Sequence, residues 1–450
     1  MLLRSIVAAA LLLALSGAAR PSAEDINRSN SASFLYTAAR SYEPLAWLHA
    51  AERFPSGAAI FLNSEAGRRA LVPGFAASAD PSVSFDGQKV LFAGKAHASD
   101  PWQIWEIDIA GGDPRRMTSV PEDCIRPFYL PDDRIVYARK RGGRFVIETK
   151  ELGSKTLDLT YMSSSALPTD VLRDGRILFE AAFPLGTYGQ PEIYTVYSDG
   201  SGVESYRCDH GTARHSARQQ SSGETVFTTS HGLARFSSAR AQQLSISAPS
   251  GEYAGDIAET GNGDWLVAWR PNAKALYRLM RWTQGAKELK PLLADPDANV
   301  LQPVLLGPRT VPNRHPSGLH DWANANLLCL NAYMSKYQFA SGAIHSVTLY
   351  TRDDSGHPKL LGTAPVERDG SFFLQVPSDQ PLQFELVDAS GKSLKREAGY
   401  FWMRRGEQRL CTGCHAGPET APENAVPQIL LKTTTPADLT GSSVQSAGGN

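Results

Sequence analysis

Short apolar runs ending in aromatic and small residues recur along the first two thirds of the chain, separated by polar and glycine-rich stretches. The copies are Phe34-Leu35-Tyr36-Thr37-Ala38, Val90-Leu91-Phe92-Ala93, Ile135-Val136-Tyr137-Ala138, Ile177-Leu178-Phe179-Glu180, Thr225-Val226-Phe227-Thr228 and Trp265-Leu266-Val267-Ala268. Their spacing of about 40 to 56 residues is the period of a four-stranded propeller blade. The turns ahead of five of them repeat too, as Asp86-Gly87, Asp132-Asp133, Asp174-Gly175, Ser222-Gly223 and Asn262-Gly263, pairs that tolerate the positive φ of tight hairpins. Another short strand precedes these turns, as in Ser82-Val83-Ser84-Phe85, and an outer hairpin follows, as in Ile193 to Tyr197 with Asp199-Gly200.

The first copy has no leading strand, whereas Leu301 to Leu306 reads as a leading strand with no blade after it. The two halves are expected to pair and close the ring, removing the open edges that invite aggregation. The fold class is therefore all-β, with a six-bladed propeller over residues 30–308; seven blades is the alternative. After the proline-rich break Gly307 to Pro312, His345 to Tyr350, Leu360 to Gly362, Gly370 to Val376 and Gln383 to Val387 read as half-buried strands, with turns at Asp353 to Gly356, Asp369-Gly370 and Ser390-Gly391. This predicts a small β-sandwich over 309–432 and a polar, disordered tail over 433–450.

Glycine (38) and proline (29) are abundant and long amphipathic helical patterns are scarce, which agrees with an all-β chain. Lys plus Arg (45) nearly balances Asp plus Glu (46), so no global field draws the chain to nucleic acid or to an anionic membrane. Residues 1–23 read as a secretory signal: Arg4, an apolar run from Ser5 to Leu15, then Ser16-Gly17-Ala18-Ala19, with the mature chain beginning near Ala19 or Ala23. No later stretch has the length of a membrane span, and the signal carries no cysteine for a lipid anchor, so a soluble periplasmic or secreted protein is expected.

The chemistry is concentrated at Cys411-Thr412-Gly413-Cys414-His415. Two thiols three positions apart reach two vinyl groups on one porphyrin edge, and the following histidine meets the iron; Cys411 and Cys414 are thus the expected attachments of one covalent haem c, and His415 its proximal metal ligand. Structural zinc needs two ligand pairs, and a dithiol redox motif prefers a strand-to-helix context; neither fits as well. For the sixth ligand Met403, His315, His320 and His345 are candidates without a diagnostic spacing, and packing is the favoured role of Met403. Arg404, Arg405 and Arg409, with Lys395 and Arg396, suit haem propionates or an acidic redox partner, or else a solvated β-edge. His97, His210, His215 and His231 show no metal spacing. Of the remaining cysteines, Cys124, Cys208 and Cys329, at most two are paired; three buried thiols is the expectation and a Cys124–Cys208 disulfide the alternative.

The stretch Asp369 to Phe373 with Val376-Pro377, then Phe384 to Asp388, Arg405-Gly406-Glu407 and Cys411 to His415, resembles the haem-bearing middle domain of the hydrazine synthase alpha-subunit family. The blades, especially Ser84 to Gly87 with Asp100 to Ile104 and Leu172 to Leu178, resemble that family's TolB-like propeller. The resemblance implies a propeller packed against a one-haem domain whose iron is five-coordinate. The family's subunit continues into a second haem domain, whereas this sequence holds one CxxCH, so hydrazine synthesis without an internal electron relay is not expected. The leading functional expectation is an exported monohaem cytochrome transferring single electrons to a redox partner, with the propeller as scaffold. The alternatives are a haem enzyme acting on a small nitrogen or oxygen species at an open iron, and a haem-based sensor or binding module.

Overall fold

The computed structural model describes residues 33–151, 156–207, 213–238, 242–353, 356–414 and 424–441. The signal segment, Cys208, His210, His415 and residues 442–450 lie outside them. Among the described residues, no helix is long and apolar enough to cross a membrane.

Residues 34 to 305 form six antiparallel sheets, one per blade. Five are consecutive in sequence. The first is assembled from both ends: Asn299–Leu305 pairs with Phe34–Ala39, Thr37 opposite Leu301 and Phe34 opposite Leu305. This is the closure the unmatched strands imply, and it fixes the blade count at six. The second strand of each blade is an apolar run that is almost entirely buried, since blades cover it on both sides. Leu91, Val136, Leu178, Val226 and Leu266 are examples.

Each innermost strand is interrupted by a bulge or break at one place, and the residue there is Gln302, Asp80, Arg126, Ser216 or Asp256 in five of the six blades, all with φ between 52° and 58°. A side chain with positive φ is strained, and here the strain is offset by polar contacts near the axis. Gln302 accepts from the Thr37 hydroxyl at 2.7 Å and donates to Asp80 Oδ1 at 2.6 Å. Arg126 donates to both carboxylate oxygens of Asp256, and Arg53 pairs with Asp80. Burial raises the pKa of the Asp80 and Asp256 carboxyls, but the guanidiniums outweigh it and hold both below the usual carboxylate range.

Beyond the propeller, two four-stranded sheets face each other. One runs Gln408–Cys411, Ala325–Cys329, Phe372–Val376, Ala437–Asp438; the other runs Pro358–Pro365, Ser346–Arg352, Gln383–Val387, Ser393–Arg396. Their core holds Leu327, Val347, Leu349, Phe372, Leu374, Leu386 and Met403. One expectation needs correction. The segment from Thr433 is not a disordered tail throughout: Ala437–Asp438 adds a parallel strand to Phe372–Val376, and Leu439 is buried. Beyond the CxxCH motif the chain thus returns to the sandwich, with a short helix, Gln428–Lys432, and that edge strand. The alternating polarity that reveals strands is weak in a stretch as short as Ala437–Asp438, where burial comes from Leu439.

Candidate haem cleft

Strand Gln408–Cys411 is an edge strand, parallel to Ala325–Cys329, and it delivers Cys411 to the end of the sandwich. The Leu330 amide donates to the Cys411 carbonyl at 2.9 Å, which fixes the backbone where the motif begins. Gly413 follows under close cover: a Cβ there would lie 2.3 Å from the Met334 carbonyl oxygen, so only glycine passes. The family-like stretch Asp369-Gly370-Ser371 secures the chain's return. Asp369 Oδ2 accepts from the Gln428 amide at 2.7 Å, and Ser371 Oγ accepts from the Ile429 amide at 3.0 Å.

Cys411 and Cys414 border a cleft of about 320 Å³, partly open to solvent, between the sandwich and the fourth blade. The blade supplies Phe183, Pro184, Leu185 and Tyr194; the sandwich supplies Leu327, Phe372, Phe384 and Phe401. Lys336, Lys395 and Arg409 stand in the same lining, with Glu397 and Glu204. Lys395 Nζ lies 4.2 Å from the centre of the Tyr337 ring. Burial pushes the Cys411 thiol up and the Cys414 thiol up to about 12.

The two domains are fastened beside this cleft. Trp402 Nε1 donates to the Gly200 carbonyl at 2.9 Å. Arg404 donates to the Asp158 carbonyl at 2.7 Å, meets the Tyr161 hydroxyl, and pairs with Asp379 at 3.0 Å. Glu407 accepts from the Gly202 amide at 3.2 Å and from the Arg404 amide at 2.7 Å, and it pairs with Arg409. Gly200, at φ 85°, leaves room for the Arg404 side chain, whose Nη1 a Cβ would approach to 2.9 Å.

Of the cationic group anticipated near the motif, Lys395 and Arg409 border the cleft. Arg404 does not: it is 7% exposed and holds the domains together, which replaces both the propionate and the solvated-edge expectation. Arg405 is exposed, and Arg396 stacks on Tyr350. Met403 is fully buried in the sandwich core and is absent from the cleft lining, in keeping with a packing role. His315 stacks on Tyr197, His320 on Trp322, and His345 is exposed; none of them lines the cleft. His215 sits near the propeller axis, where burial pushes it down to about 4. Cys124 is a buried free thiol whose candidate partner Cys208 lies outside the described residues.

Sequence reasoning missed Cys329, the blade wall and Lys336 with Tyr337. The burial of Cys329 was detectable, since Ala325, Leu327 and Cys329 alternate as the buried face of a strand; its place beside Cys411 was not. Among the described residues no group of three or more His, Cys, Asp or Glu side chains is arranged to hold a metal ion.

Residues 334–416 match the family model described as the hydrazine synthase alpha subunit middle domain. Within the curated proteins, 61 residues are 38% identical to hydrazine synthase subunit alpha of Kuenenia stuttgartiensis, 14% of this chain and 8% of that protein's length. Among solved structures, Kuenenia stuttgartiensis hydrazine synthase superposes with a TM-score of 0.77 at 17% identity, over 90% of this chain and 72% of that one. TolB from Acinetobacter baumannii is similar at a TM-score of 0.45 and 14% identity, over 61% and 66% of the two chains.

Proposed function

We propose that this hydrazine synthase alpha-like chain is an exported protein that carries one haem c and acts on a small nitrogen or oxygen species at an open iron position. The observation that carries the reading is the cleft: both cysteines of the motif border it, and no histidine or methionine stands among its described lining residues. Among the described residues, a group held there would meet no sixth ligand of the kind that closes electron-transfer haems. The electron-transfer reading stands second for that reason.

The lining suits the group's two faces of character. A porphyrin is a broad apolar plate, and Phe183, Leu327, Phe372, Phe384 and Phe401 offer apolar contact on either side; its two propionates are anions, for which Lys336, Lys395 and Arg409 are charge-assisted partners. Cys411 and Cys414 would hold the macrocycle by thioethers and His415 the iron. When bound, haem supplies a redox-active metal with an exchangeable coordination site. The chain's own residues then limit water at that site through the aromatic walls and keep the plate's edge oriented through the cations. Glu397, in the same lining, is a candidate general acid or base for a species bound in the cleft. The whole activity of the relative is not carried over, since the matched stretch is 8% of its length.

The test is a spectrum of protein made in a host competent in cytochrome c maturation. Covalent haem that survives acid-acetone extraction and a ferrous form that binds CO are expected. A sharp low-spin spectrum indifferent to CO would overturn the open site, and haem lost on extraction would overturn the covalent attachment.

A further inference from the structure

Cys329 stands beside the attachment cysteines with no part in the reading above. Its strand runs parallel to Gln408–Cys411, and the register places Cys329 opposite Cys411. Parallel neighbours in register lie ~4.8 Å apart and turn their side chains to the same face. That spacing is inside the roughly 4.4–6.8 Å Cα separation that a disulfide accepts. Both residues border the cleft together with Cys414, and all three are free thiols in this structure.

We propose that in the haem-free protein Cys329 closes a disulfide with Cys411, holding that attachment thiol oxidised until a reductant releases it. The inference rests on reading residues 411–415 as a haem attachment site. Cys414 stands near both thiols. What singles out Cys329 with Cys411 is the sheet: the two are registered neighbours, and the Leu330 amide holds the Cys411 backbone where the strand ends.

The step balances by thiol–disulfide exchange. An oxidant of the protein or small-molecule disulfide class is attacked by one thiolate, giving a mixed disulfide; the second thiolate displaces it. The two cysteines together lose two electrons and two protons, and the oxidant leaves as two thiols. A dithiol reductant reverses the exchange and leaves as its own disulfide, after which the freed Cys411 S–H can add to a vinyl group with no net change of oxidation state, while Cys329 stays a thiol.

The experiment begins with the exported wild-type chain produced without haem. It is treated with oxidised glutathione, alkylated, digested without reduction and mapped by mass. A peptide containing Cys329 joined to the one containing Cys411 and Cys414 is expected, with fragmentation placing the bond on Cys411 and the alkyl group on Cys414, while an alkylated Cys329, a Cys329–Cys414 linkage or a Cys411–Cys414 linkage overturns the proposal. A second arm measures haem staining of wild type and of Cys329→Ser, with Cys329→Ala as a substitute should the serine chain misfold, under limiting and ample reductant. The variant is expected to gain several-fold in haem-loaded fraction under limiting reductant and to lose its dependence on reductant; equal dependence in both chains overturns the role in loading. If no chain retains haem in any condition, the haem reading fails, and the peptide map still decides the disulfide.

Discussion

Arg126 on the third blade reaches across the propeller axis to Asp256 on the sixth, donating from Nη1 and Nη2 to the two carboxylate oxygens at 2.9 and 2.8 Å. Both side chains are about 5% exposed, and the pair joins opposite blades rather than neighbours. Asp256 also accepts from Arg218 at 3.1 Å, and Arg126 lies 3.9 Å from Asp80. Breaking such a pair from one side leaves a buried charge without its partner. Arg126→Ala is therefore expected to lower the unfolding free energy by about 3–5 kcal/mol, read as a lower urea midpoint at pH 7. The Arg126→Met, Asp256→Leu double variant should lose less than the sum of the single changes.

Glu180 gives the axis a pH dependence of opposite sign to most carboxylates. Burial pushes its carboxyl up to about 7 despite Arg126, while its oxygen accepts from the Ser216 amide. A folded-state pKa above the unfolded one means the protonated form is favoured by folding. The contribution is full below about pH 4.5 and fades as pH rises through 7, on the order of 3 kcal/mol in all. Denaturation curves of wild type and Glu180→Gln should coincide near pH 4.5, and the variant should be the more stable at pH 8.

The closing blade depends on Gln302, whose side chain meets Thr37 on the strand from the other end of the ring and Asp80 on the next blade. Gln302→Leu strands a buried hydroxyl and a carboxylate oxygen, and about 1–3 kcal/mol per unsatisfied group is expected. Truncation before Asn299 removes the strand entirely, and size-exclusion chromatography should then show aggregate in place of monomer.

Met403 separates packing from ligation. It is fully buried in the sandwich core, so Met403→Ala should cost ~2–5 kcal/mol through the cavity it leaves. The optical spectrum and CO affinity of the haem-loaded protein should stay as in wild type.

The fold was legible where one physical pattern repeats. Six apolar runs at blade spacing, with the unmatched Leu301 to Leu306, were enough to expect the ring and the pairing with Phe34 to Ala38. The bulged inner strands were not legible, because positive φ at Asp80 or Arg126 has no signature in residue type. In the cleft, Cys411 and Cys414 announce themselves by spacing, the spacing that two thiols meeting one macrocycle would need. Cys329 lies 82 positions earlier and reaches them only through a parallel pairing, which periodicity cannot reveal. Arg404 misled for a related reason: a cation beside a haem motif reads as a propionate partner, and only the position of Asp158 on the third blade's outer strand shows that it serves the domain contact.

The fastening made by Trp402, Arg404 and Glu407 governs how the cleft accepts an occupant. Parting the domains would strand an indole donor, a guanidinium and a carboxylate that are all buried, so the separation of the walls is set by these contacts and needs no occupant. The cleft is a mould and not a jaw: a guest too thick for the gap between Phe183 and Phe384 is refused instead of embraced, and one that fits spends no binding energy on drawing the sides together.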